Sequence, residues 1–303
     1  MRCPACGESL ERWMSVPGSE PALAGIDFEL LRCGSCGTAV TAGDAPPALH
    51  ESGAYRPGAP RMSGLAAPLL RAFDRRRLAM LRPLVESGAR LLDAGAGRGR
   101  FVATARSAGL EAFGIEPSLR GAAPSDVIGV SIENAAIEPG SLDAVTLWHV
   151  LEHLDDPGAA LARISDWLAP RGALLVGVPN LASWQARIGG RRWYHLDVPR
   201  HRVHFTPSGL SALLAAHGFA PVHTHHLLLE HNPFGMWQSL VNRWTRHPSY
   251  LYNLLKRNAP LASNDLAITA AALPLVPLAA ALEAVAGLRR RGGTIAVLAR
   301  RVG

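Results

Sequence analysis

The most informative stretch of the chain is Ala89-Arg-Leu-Leu-Asp-Ala-Gly-Ala-Gly-Arg-Gly-Arg-Phe101. Its short apolar run ends at Asp93, and a helix-compatible run covers residues 101–106. Between them, glycine occupies every second position: Gly95, Gly97 and Gly99. Glycine allows a sharp turn with positive φ and a close approach by a ligand, and the exposed N–H groups of a helix start favour a polar or anionic group. The stretch predicts a strand, a glycine turn and a helix, an order that an ordinary turn of any α/β protein shares.

The next segments support an α/β fold. Residues 111–116 predict a second strand that ends at Glu116, about twenty residues past the glycines, where α/β nucleotide sites place a carboxylate on the ribose hydroxyls. The glycine spacing is G-x-G-x-G and differs from the dinucleotide pattern G-x-G-x-x-G. Strands and helices then alternate, which predicts a parallel, doubly wound sheet. The predicted strands are 90–94, 111–116, 127–132, 143–148, 173–178, 222–229 and 293–299, and the predicted helices are 65–85, 98–108, 118–123 and 157–169.

An ordered set of motifs between residues 65 and 230 carries a family resemblance. The motifs are Leu92-Asp-Ala-Gly-Ala-Gly-Arg-Gly99, Gly114-Ile-Glu-Pro-Ser118, Ser141-Leu-Asp-Ala-Val145, His149-Val-Leu-Glu-His-Leu154, Pro170-Arg-Gly-Ala-Leu-Leu-Val176 and the block from Leu196 to Leu210. Together they resemble the class I S-adenosylmethionine-dependent methyltransferases of the small-molecule type. The resemblance implies a Rossmann-like sheet of seven strands and S-adenosylmethionine as the cofactor.

The resemblance also implies roles for particular residues. Asp93, Gly95 and Gly97 would shape the methionine end of the cofactor site, and Glu116 would take the ribose hydroxyls. The adenine would lie near Ile132 and Glu133. The methyl group would lie beneath Trp148 and His149.

All four cysteines lie within two C-x-x-C-G motifs near the start of the chain: Cys3, Cys6, Cys33 and Cys36. Four thiolates on two tight turns suit a closed tetrahedral Zn²⁺ site. Two disulfides or four free thiols are the alternatives, and a cytoplasmic setting argues against disulfides. We therefore expect a structural zinc ribbon over residues 1–44, and a closed site of this kind has no open position for catalysis.

The composition predicts the rest of the domain organisation. Residues 45–64 are rich in Gly, Pro and Ala and predict a linker, so that the methyltransferase domain covers 65–303. About sixty residues separate the last two predicted strands, which requires a helical insertion over 230–292. Within it, residues 266–288 are apolar except for Thr269 and Glu283. Since the flanking strands belong to one sheet, we expect two helices of about ten residues, buried or in peripheral contact with a membrane interface, and no crossing.

The net charge of +7 comes almost wholly from arginine. A nucleic-acid surface would cluster its cations, whereas the clusters 75–77 and 289–291 are short and predict solvated helix faces. No signal peptide is recognised, so cytoplasm is the expected compartment, with peripheral membrane contact as the alternative. The sequence does not indicate an oligomeric state.

The segment His149-Val-Leu-Glu-His153 follows the fourth strand and is the predicted catalytic cluster: His149, Glu152 and His153. The pattern also matches the H-x-x-E-H of some zinc peptidases, but a methyltransferase order of elements surrounds it. The cluster could supply a lone general base. It could instead hold a second divalent metal, completed by His201 or His204, since some small-RNA and quinone-pathway O-methyltransferases resemble this arrangement. Packing alone is the third interpretation.

The expected acceptor is a small molecule, with methyl transfer to a hydroxyl of a sugar, quinone or secondary metabolite. The fold usually builds its acceptor pocket where this chain has Trp184, Trp193, Tyr194 and His195. An aromatic pocket suits a ring, a sugar face or a lipid headgroup, although each residue could equally be core. An RNA methyltransferase with a zinc ribbon and a non-catalytic or membrane-associated scaffold are the alternatives.

Overall fold

The computed structural model describes residues 1–43, 63–119, 124–256 and 258–302. Residues 45–62 of the predicted linker 45–64 and residues 120–123 of the predicted helix 118–123 lie outside these residues, and residues 63–64 belong to a helix. The strands of the described part are β1 (Leu10–Pro17), β2 (Asp27–Cys33), β3 (Ala39–Thr41), β4 (Arg90–Ala94), β5 (Glu111–Ile115), β6 (Val127–Ile128), β7 (Leu142–Trp148), β8 (Leu168–Pro179), β9 (Val203–His204), β10 (Phe219–His225) and β11 (Thr294–Arg301).

The helices of the described part connect these strands and build the insertion. They are α1 (Ser63–Leu81), α2 (Arg100–Ser107), α3 (Pro157–Trp167), α4 (Trp184–Gly189), α5 (Pro207–Ala216), α6 (Asn232–Val241), α7 (Tyr250–Leu255), α8 (Ser263–Ala271) and α9 (Val276–Leu288). The chain divides into two compact units. The first takes its described residues from 1–60, 179–209 and 225–295, and the second from 61–178, 210–224 and 296–303.

The second unit is built on a mostly parallel sheet of seven strands in the order β10-β11-β8-β7-β4-β5-β6. β4 pairs in parallel with β5 on one side and with β7 on the other, so the strand order reverses at β4. Ligands of open α/β sheets bind at the carboxyl ends of the strands next to such a switch point. The predicted fold class is confirmed.

The buried residues of this sheet explain its continuous apolar runs. Leu91, Leu92, Leu142 and Leu147 are fully buried, as expected for parallel strands that are covered on both faces. Three predicted strands differ from the observed ones by three or more residues at an end. One is β8, which begins at Leu168 and not at residue 173. Residues 127–132 form only the two-residue β6, followed by a 3-10 turn at Ile132–Asn134, and the sixth predicted strand begins three residues earlier, at Phe219.

The first unit contains a four-stranded sheet in the order β1-β2-β3-β9. β3 pairs antiparallel with β9, with Ala39 opposite His204 and Val40 opposite Val203. The predicted boundaries of ribbon, linker and methyltransferase domain stay a prediction. The structure adds that the cysteine-containing segment shares a sheet with residues far along the chain.

Two apolar clusters stabilise the first unit. One joins the N-terminal strands to the segment after α4 and contains Val16, Leu30, Trp193, Leu196 and Val198. The other joins α6 to the helices of the insertion and contains Met236, Trp237, Val241, Ala272 and Ala279. The insertion has the two expected short helices, α8 and α9, with a 3-10 turn at Leu273–Leu275 between them.

Candidate active site

The glycine loop follows β4 directly. Gly95, Gly97 and Gly99 have φ values of 81°, 53° and 74°, a region that side chains rarely adopt. A Cβ at Gly95 would lie 2.2 Å from Cγ2 of Val150, whereas a Cβ at Gly97 would meet nothing within 4 Å. Gly95 is therefore required by close packing and by backbone conformation. Gly97 faces open space at the carboxyl end of the strand, where a cofactor would fit.

Glu116 lies just past the end of β5, and its carboxylate is held by three hydrogen bonds. The N–H of Gly97 donates to Oε2 at 3.0 Å, and the N–H and hydroxyl of Ser118 donate to Oε1 at 3.0 and 2.7 Å. A carboxylate has about four acceptor sites, so one site, on Oε2, remains for a hydroxyl of the ribose. This arrangement fits a ribose contact through one hydroxyl.

Asp93 is paired with an arginine that the sequence analysis missed. Arg77 of α1 donates from Nη2 to the Asp93 carboxylate and, at 2.7 Å, to the hydroxyl of Thr146, which in turn donates to Asp93 at 2.6 Å. Its guanidinium also lies 3.8 Å from the ring centroid of Phe101 and 5.1 Å from that of Trp148. The predicted solvated face for 75–77 is therefore wrong at Arg77, which is 7% exposed.

A signal for Arg77 was present in the sequence. Asp93 stands inside an apolar strand, and a buried carboxylate requires a partner charge or hydrogen-bond donors. The helix before that strand carries three consecutive arginines, of which only the third faces inward. The need for an arginine partner could therefore have been inferred from the sequence. Which of the three arginines is that partner could not.

The predicted adenine neighbours lie in the 3-10 turn after β6. Ile132 is buried, and its carbonyl accepts a 3.1 Å hydrogen bond from Nε of Arg163, while the Ala135 carbonyl accepts one of 3.0 Å from Nη2 of the same side chain. Glu133 is exposed. Arg163 thus fixes the turn, and the adenine contacts of Ile132 and Glu133 stay a prediction.

Trp148 ends β7 and lies against the neighbouring strand β8. A Cβ at Gly177 would be 2.7 Å from the indole, so only glycine allows the ring to pack there. The next residue, His149, has a φ of 57°, and its N–H donates to the Gly177 carbonyl at 2.9 Å. Positive φ at a residue other than glycine is costly and is found most often at functional sites. The contact of Trp148 with a cofactor stays a prediction.

His149 and Glu152 form a hydrogen-bonded pair. Nδ1 of His149 lies 3.1 Å from Oε1 of Glu152, whose side chain is 1% exposed, whereas the His149 side chain is 23% exposed. Within the described residues, Oε2 of Glu152 has no hydrogen-bond partner. With Glu152 ionised, the pair places the imidazole proton on Nδ1 and the lone pair on Nε2. A carboxylate that orients an imidazole in this way is the arrangement of a general base.

The peptidase interpretation of this segment has no structural basis. His149 follows a strand, and Glu152 and His153 lie in a 3-10 turn, Leu151–His153. A zincin-type site needs its histidines one turn apart on an α-helix.

The predicted second metal is not supported. His204 is engaged in the four-stranded sheet of the first unit, where its Nε2 lies 3.0 Å from the hydroxyl of Thr41. Burial lowers the pKa of His204 to about 4. In the same unit, Nδ1 of His201 lies 2.8 Å from the His195 carbonyl. Both histidines thus have structural partners within their own unit.

The four cysteines of the first unit form one cluster. Sγ of Cys3 lies 3.6 Å from Sγ of Cys36, Sγ of Cys6 lies 3.5 Å from Sγ of Cys33, and all four sulfurs lie within 4.8 Å of one another. Tetrahedral zinc with bonds of about 2.3 Å places its sulfurs about 3.8 Å apart. None of the four forms a disulfide. The donor set and its spacing fit a structural zinc ion.

A cavity of about 630 Å³ lies within the first unit. Trp13, Trp184 and Trp193 line it, together with three arginines: Arg32, Arg187 and Arg291. No acidic residue is among its described lining residues, and the buried Nε1 of Trp193 has no partner within the described chain. Two of the predicted pocket residues thus line a cavity.

Tyr194 and His195 have a different environment. His195 is 7% exposed, and burial raises the pKa of Tyr194 well above its usual range. Their rings pack against each other with centroids 4.8 Å apart. Packing is therefore what the structure shows for these two residues.

Comparison with known families identifies the class of protein. Residues 65–224, more than half of the chain, match the sequence model of the methyltransferase domain family. The chain belongs to this family, and the predicted methyltransferase domain is confirmed.

Individual relatives are more distant. The chain is 29% identical over 177 residues to the ubiquinone biosynthesis O-methyltransferase of Rhodopseudomonas palustris strain HaA2, with 52% of this chain and 66% of that protein covered. It is 30% identical over 145 residues to the protein of the same name from Xanthomonas campestris pv. campestris strain B100, with 42% and 61% covered. The chain thus spans less than two thirds of the length of these curated relatives.

Among solved structures, the Burkholderia thailandensis 1,6-didemethyltoxoflavin-N1-methyltransferase with bound S-adenosylhomocysteine is similar over 88% of this chain and 96% of its own. The identity is 19% and the TM-score 0.47.

Proposed function

We propose that the protein transfers the methyl group of S-adenosylmethionine to a hydroxyl of a small molecule, with His149 as the base that takes the hydroxyl proton. The hydrogen-bonded pair of His149 and Glu152 at the end of β7 carries this proposal. Methylation of oxygen requires removal of the acceptor's proton, and a partly exposed imidazole oriented by a buried carboxylate is suited to that task.

The residues of the second unit fit the cofactor. S-adenosylmethionine supplies an activated methyl group on a sulfonium. Glu116 would accept a hydrogen bond from a ribose hydroxyl at its remaining site on Oε2, and the open space above Gly97 would admit the cofactor beside the backbone. Asp93, neutralised by Arg77, would fix the end of β4 and with it the glycine loop. The protein's contribution is to align the two substrates and to remove the proton.

The acceptor class rests on two observations. The relatives named above are O-methyltransferases of ubiquinone biosynthesis. The cavity of the first unit combines indole rings with guanidinium groups, which suits a molecule with a flat or apolar body and a negative charge. A quinone-type ring fits this description better than a free sugar does, and secondary metabolites with a phenolic acid group fit it as well.

The experiment combines cofactor binding with turnover. Calorimetric titration with S-adenosylmethionine needs no acceptor, and Glu116→Ala should weaken binding about ten- to hundredfold because a charge-assisted hydrogen bond is lost. Turnover is followed as S-adenosylhomocysteine released with a panel of catechols, hydroxybenzoates and sugars. His149→Ala should lower kcat by about 10²–10⁴ with cofactor affinity unchanged, and added imidazole should restore part of the rate.

The control is His223→Ala, which removes an exposed histidine from β10 of the same unit. Its turnover should equal that of the wild type. If His149→Ala retains wild-type turnover with an accepted substrate, or if imidazole fails to restore any rate, the base is a different group. If the wild type does not bind S-adenosylmethionine, the proposed function is wrong as a whole.

We also propose that Cys3, Cys6, Cys33 and Cys36 hold one structural Zn²⁺. The spacing of the four sulfurs supports this, as does the position of Gly7 and Gly37 with positive φ directly after the second cysteine of each pair. Such a site holds the two turns together and takes no part in the reaction.

A further inference from the structure

The helices α8 and α9 present most of their large apolar side chains outward. The buried residues of these helices and of the turn between them are small or polar: Ala272, Ala279, Ala286, Gly287, Asp265, Thr269 and Glu283. Two larger side chains, Ile268 and Leu282, are partly buried against the core of the unit. A helix on the surface of a globular protein normally shows the opposite arrangement. The exposed residues of this outer face, which we call the apolar face, are Leu266, Leu273, Leu275, Val276, Leu278, Val285 and Leu288.

Hydrogen bonds fix the inner side of these helices. Asp265 accepts from the backbone N–H groups of Arg246 and His247 at 2.8 and 3.1 Å. Glu283 accepts from the N–H of Gly293 and from Nε2 of Gln185, both at 2.7 Å. Because both acids of the segment are occupied inside the unit, the helices cannot rotate to bury their leucines without breaking these bonds. The apolar face is therefore a fixed feature of the surface.

The charges beside the apolar face have one sign. Between residues 243 and 291 the chain has only two acids, Asp265 and Glu283, and both are buried. The helix α9 ends at Leu288, which is 73% exposed, and three arginines follow at once. The arginines are Arg289, Arg290 and Arg291. Together with Arg32 they line one surface depression of the first unit, and no acidic residue is among its described lining residues.

An exposed tryptophan between two arginines lies in the same part of the chain. Trp244 is 60% exposed and lies between the exposed Arg243 and Arg246. Tryptophan and arginine side chains side by side are typical of surfaces that contact the boundary between lipid headgroups and acyl chains.

By length and composition, Ser263–Leu288 could cross a membrane. The structure argues for a different geometry. The segment breaks into two helices at the 3-10 turn Leu273–Leu275, and the strands that flank the insertion, β10 and β11, are neighbours in one sheet. A single crossing would separate those strands by the thickness of a bilayer. Helices with one apolar side and a fixed polar side lie in the interface plane.

A second copy of the chain is the competing occupant. A two-fold dimer would bring the same face of both copies together, and with it two sets of arginines, while the two acids of residues 243–291 are buried in each copy. Anionic lipid headgroups offer the complementary charge. We propose that the apolar face and the arginines at its end dock the protein onto the surface of an anionic membrane, with α8 and α9 lying in the interface.

The test is flotation of the full-length chain with vesicles of phosphatidylcholine alone or with about 30% phosphatidylglycerol. The wild type should float with the anionic vesicles, and binding should weaken as salt is raised. The double variant Leu278→Gln with Leu288→Gln should reduce the partition coefficient about tenfold or more, because two leucine side chains lose their apolar environment. Arg289→Gln with Arg290→Gln should reduce binding to anionic vesicles and leave the weak binding to neutral ones unchanged.

Leu69→Gln is the matched control, since Leu69 is similarly exposed but lies on α1 of the other unit. It should float like the wild type. All variants should keep the wild-type circular dichroism spectrum and melting temperature, because the changed side chains are exposed. Two results would overturn the proposal. One is equal flotation of wild type and the Leu278→Gln, Leu288→Gln variant. The other is a wild type that does not float but forms a dimer that this variant abolishes, which would assign the face to a second copy.

Discussion

At the residue scale, the end of β4 depends on one buried ion pair. Asp93 is 2% exposed and its carboxylate accepts from Arg77 and Thr146. Removing one member of a buried pair leaves the other charge without a partner, which costs about 3–5 kcal/mol. We therefore expect Arg77→Leu to lower the free energy of unfolding by that amount in urea denaturation, and to weaken S-adenosylmethionine binding because the glycine loop follows Asp93.

The adjacent arginines supply the control for this prediction. Arg75→Leu changes an exposed residue of the same helix and should leave stability within about 0.5 kcal/mol of the wild type. The double variant Arg77→Leu with Asp93→Asn removes both charges and should recover part of the loss. A stability of Arg77→Leu equal to that of Arg75→Leu would show that the pair contributes nothing.

The residues of the site differed in how well the sequence revealed them. Gly95, Gly97 and Glu116 were predictable because a turn with positive φ and a carboxylate at a strand end each leave a local pattern. For Arg77 the sequence indicated only that buried Asp93 needs a positively charged partner, since the choice among the three arginines depends on which side of α1 faces β4. The proximity of Glu152 to His149 was expected from their spacing, but no local sequence pattern indicated the positive φ of His149 or the packing of Trp148 on Gly177.

At the scale of elements, α9 contains a carboxylate whose protonation affects stability. Burial raises the pKa of Glu283 to about 7 from its usual 4.5. The folded state therefore binds more protons than the unfolded state between these values, and the stability that protonated Glu283 provides is complete below about pH 4.5 and is lost as pH rises through 7. Glu283→Gln stays neutral, so we expect it to be more stable than the wild type at pH 8, by on the order of 2–3 kcal/mol, and no more stable near pH 4.5.

Thermal or urea denaturation at a series of pH values measures this difference. Subtracting the variant's free energy of unfolding from that of the wild type at each pH removes the contribution of the other titrating groups. Glu86→Gln, an exposed acid after α1, should show the same pH dependence as the wild type. A difference between Glu283→Gln and wild type that does not change between pH 4.5 and pH 8 would contradict the raised pKa.

The elements themselves were predicted unevenly, for a physical reason. The buried strands β4, β5, β7 and β8 are runs of apolar residues bounded by turns, and a single sequence shows them clearly. The short strand β6 was overestimated because residues 129–132 have strand-like composition, but the chain turns into a 3-10 helix there. In the insertion, most of the large apolar side chains of α8 and α9 face outward, and composition alone could not distinguish that arrangement from a buried pair.

At the scale of the whole molecule, each of the two units is built from three separate segments of the chain. Sequence patterns are local, whereas β3 pairs with β9 across more than 160 residues. A composition change near residue 44 therefore predicted an appendage. It could not show that the cysteine segment shares a sheet with residues 203–204, or that the Cys36 carbonyl accepts hydrogen bonds from Thr206 and Ser208 at 2.6 and 2.9 Å.

This connection predicts how far the loss of zinc propagates. Binding of a structural Zn²⁺ contributes about 10–16 kcal/mol in small zinc domains, so Cys33→Ser, which removes one ligand, should abolish the one zinc per chain found by elemental analysis. Hydrogen exchange should then accelerate in β3 and equally in β9, because the pairing of Ala39 with His204 lies next to the turn that holds Cys36. The amides of β4 should keep their protection.

The control is Ser35→Ala in the same turn, which should retain both the zinc and the protection. If Cys33→Ser exposes only residues 1–43 and β9 stays protected, the cysteine segment is an independent ribbon that merely contacts the first unit, as its composition had suggested.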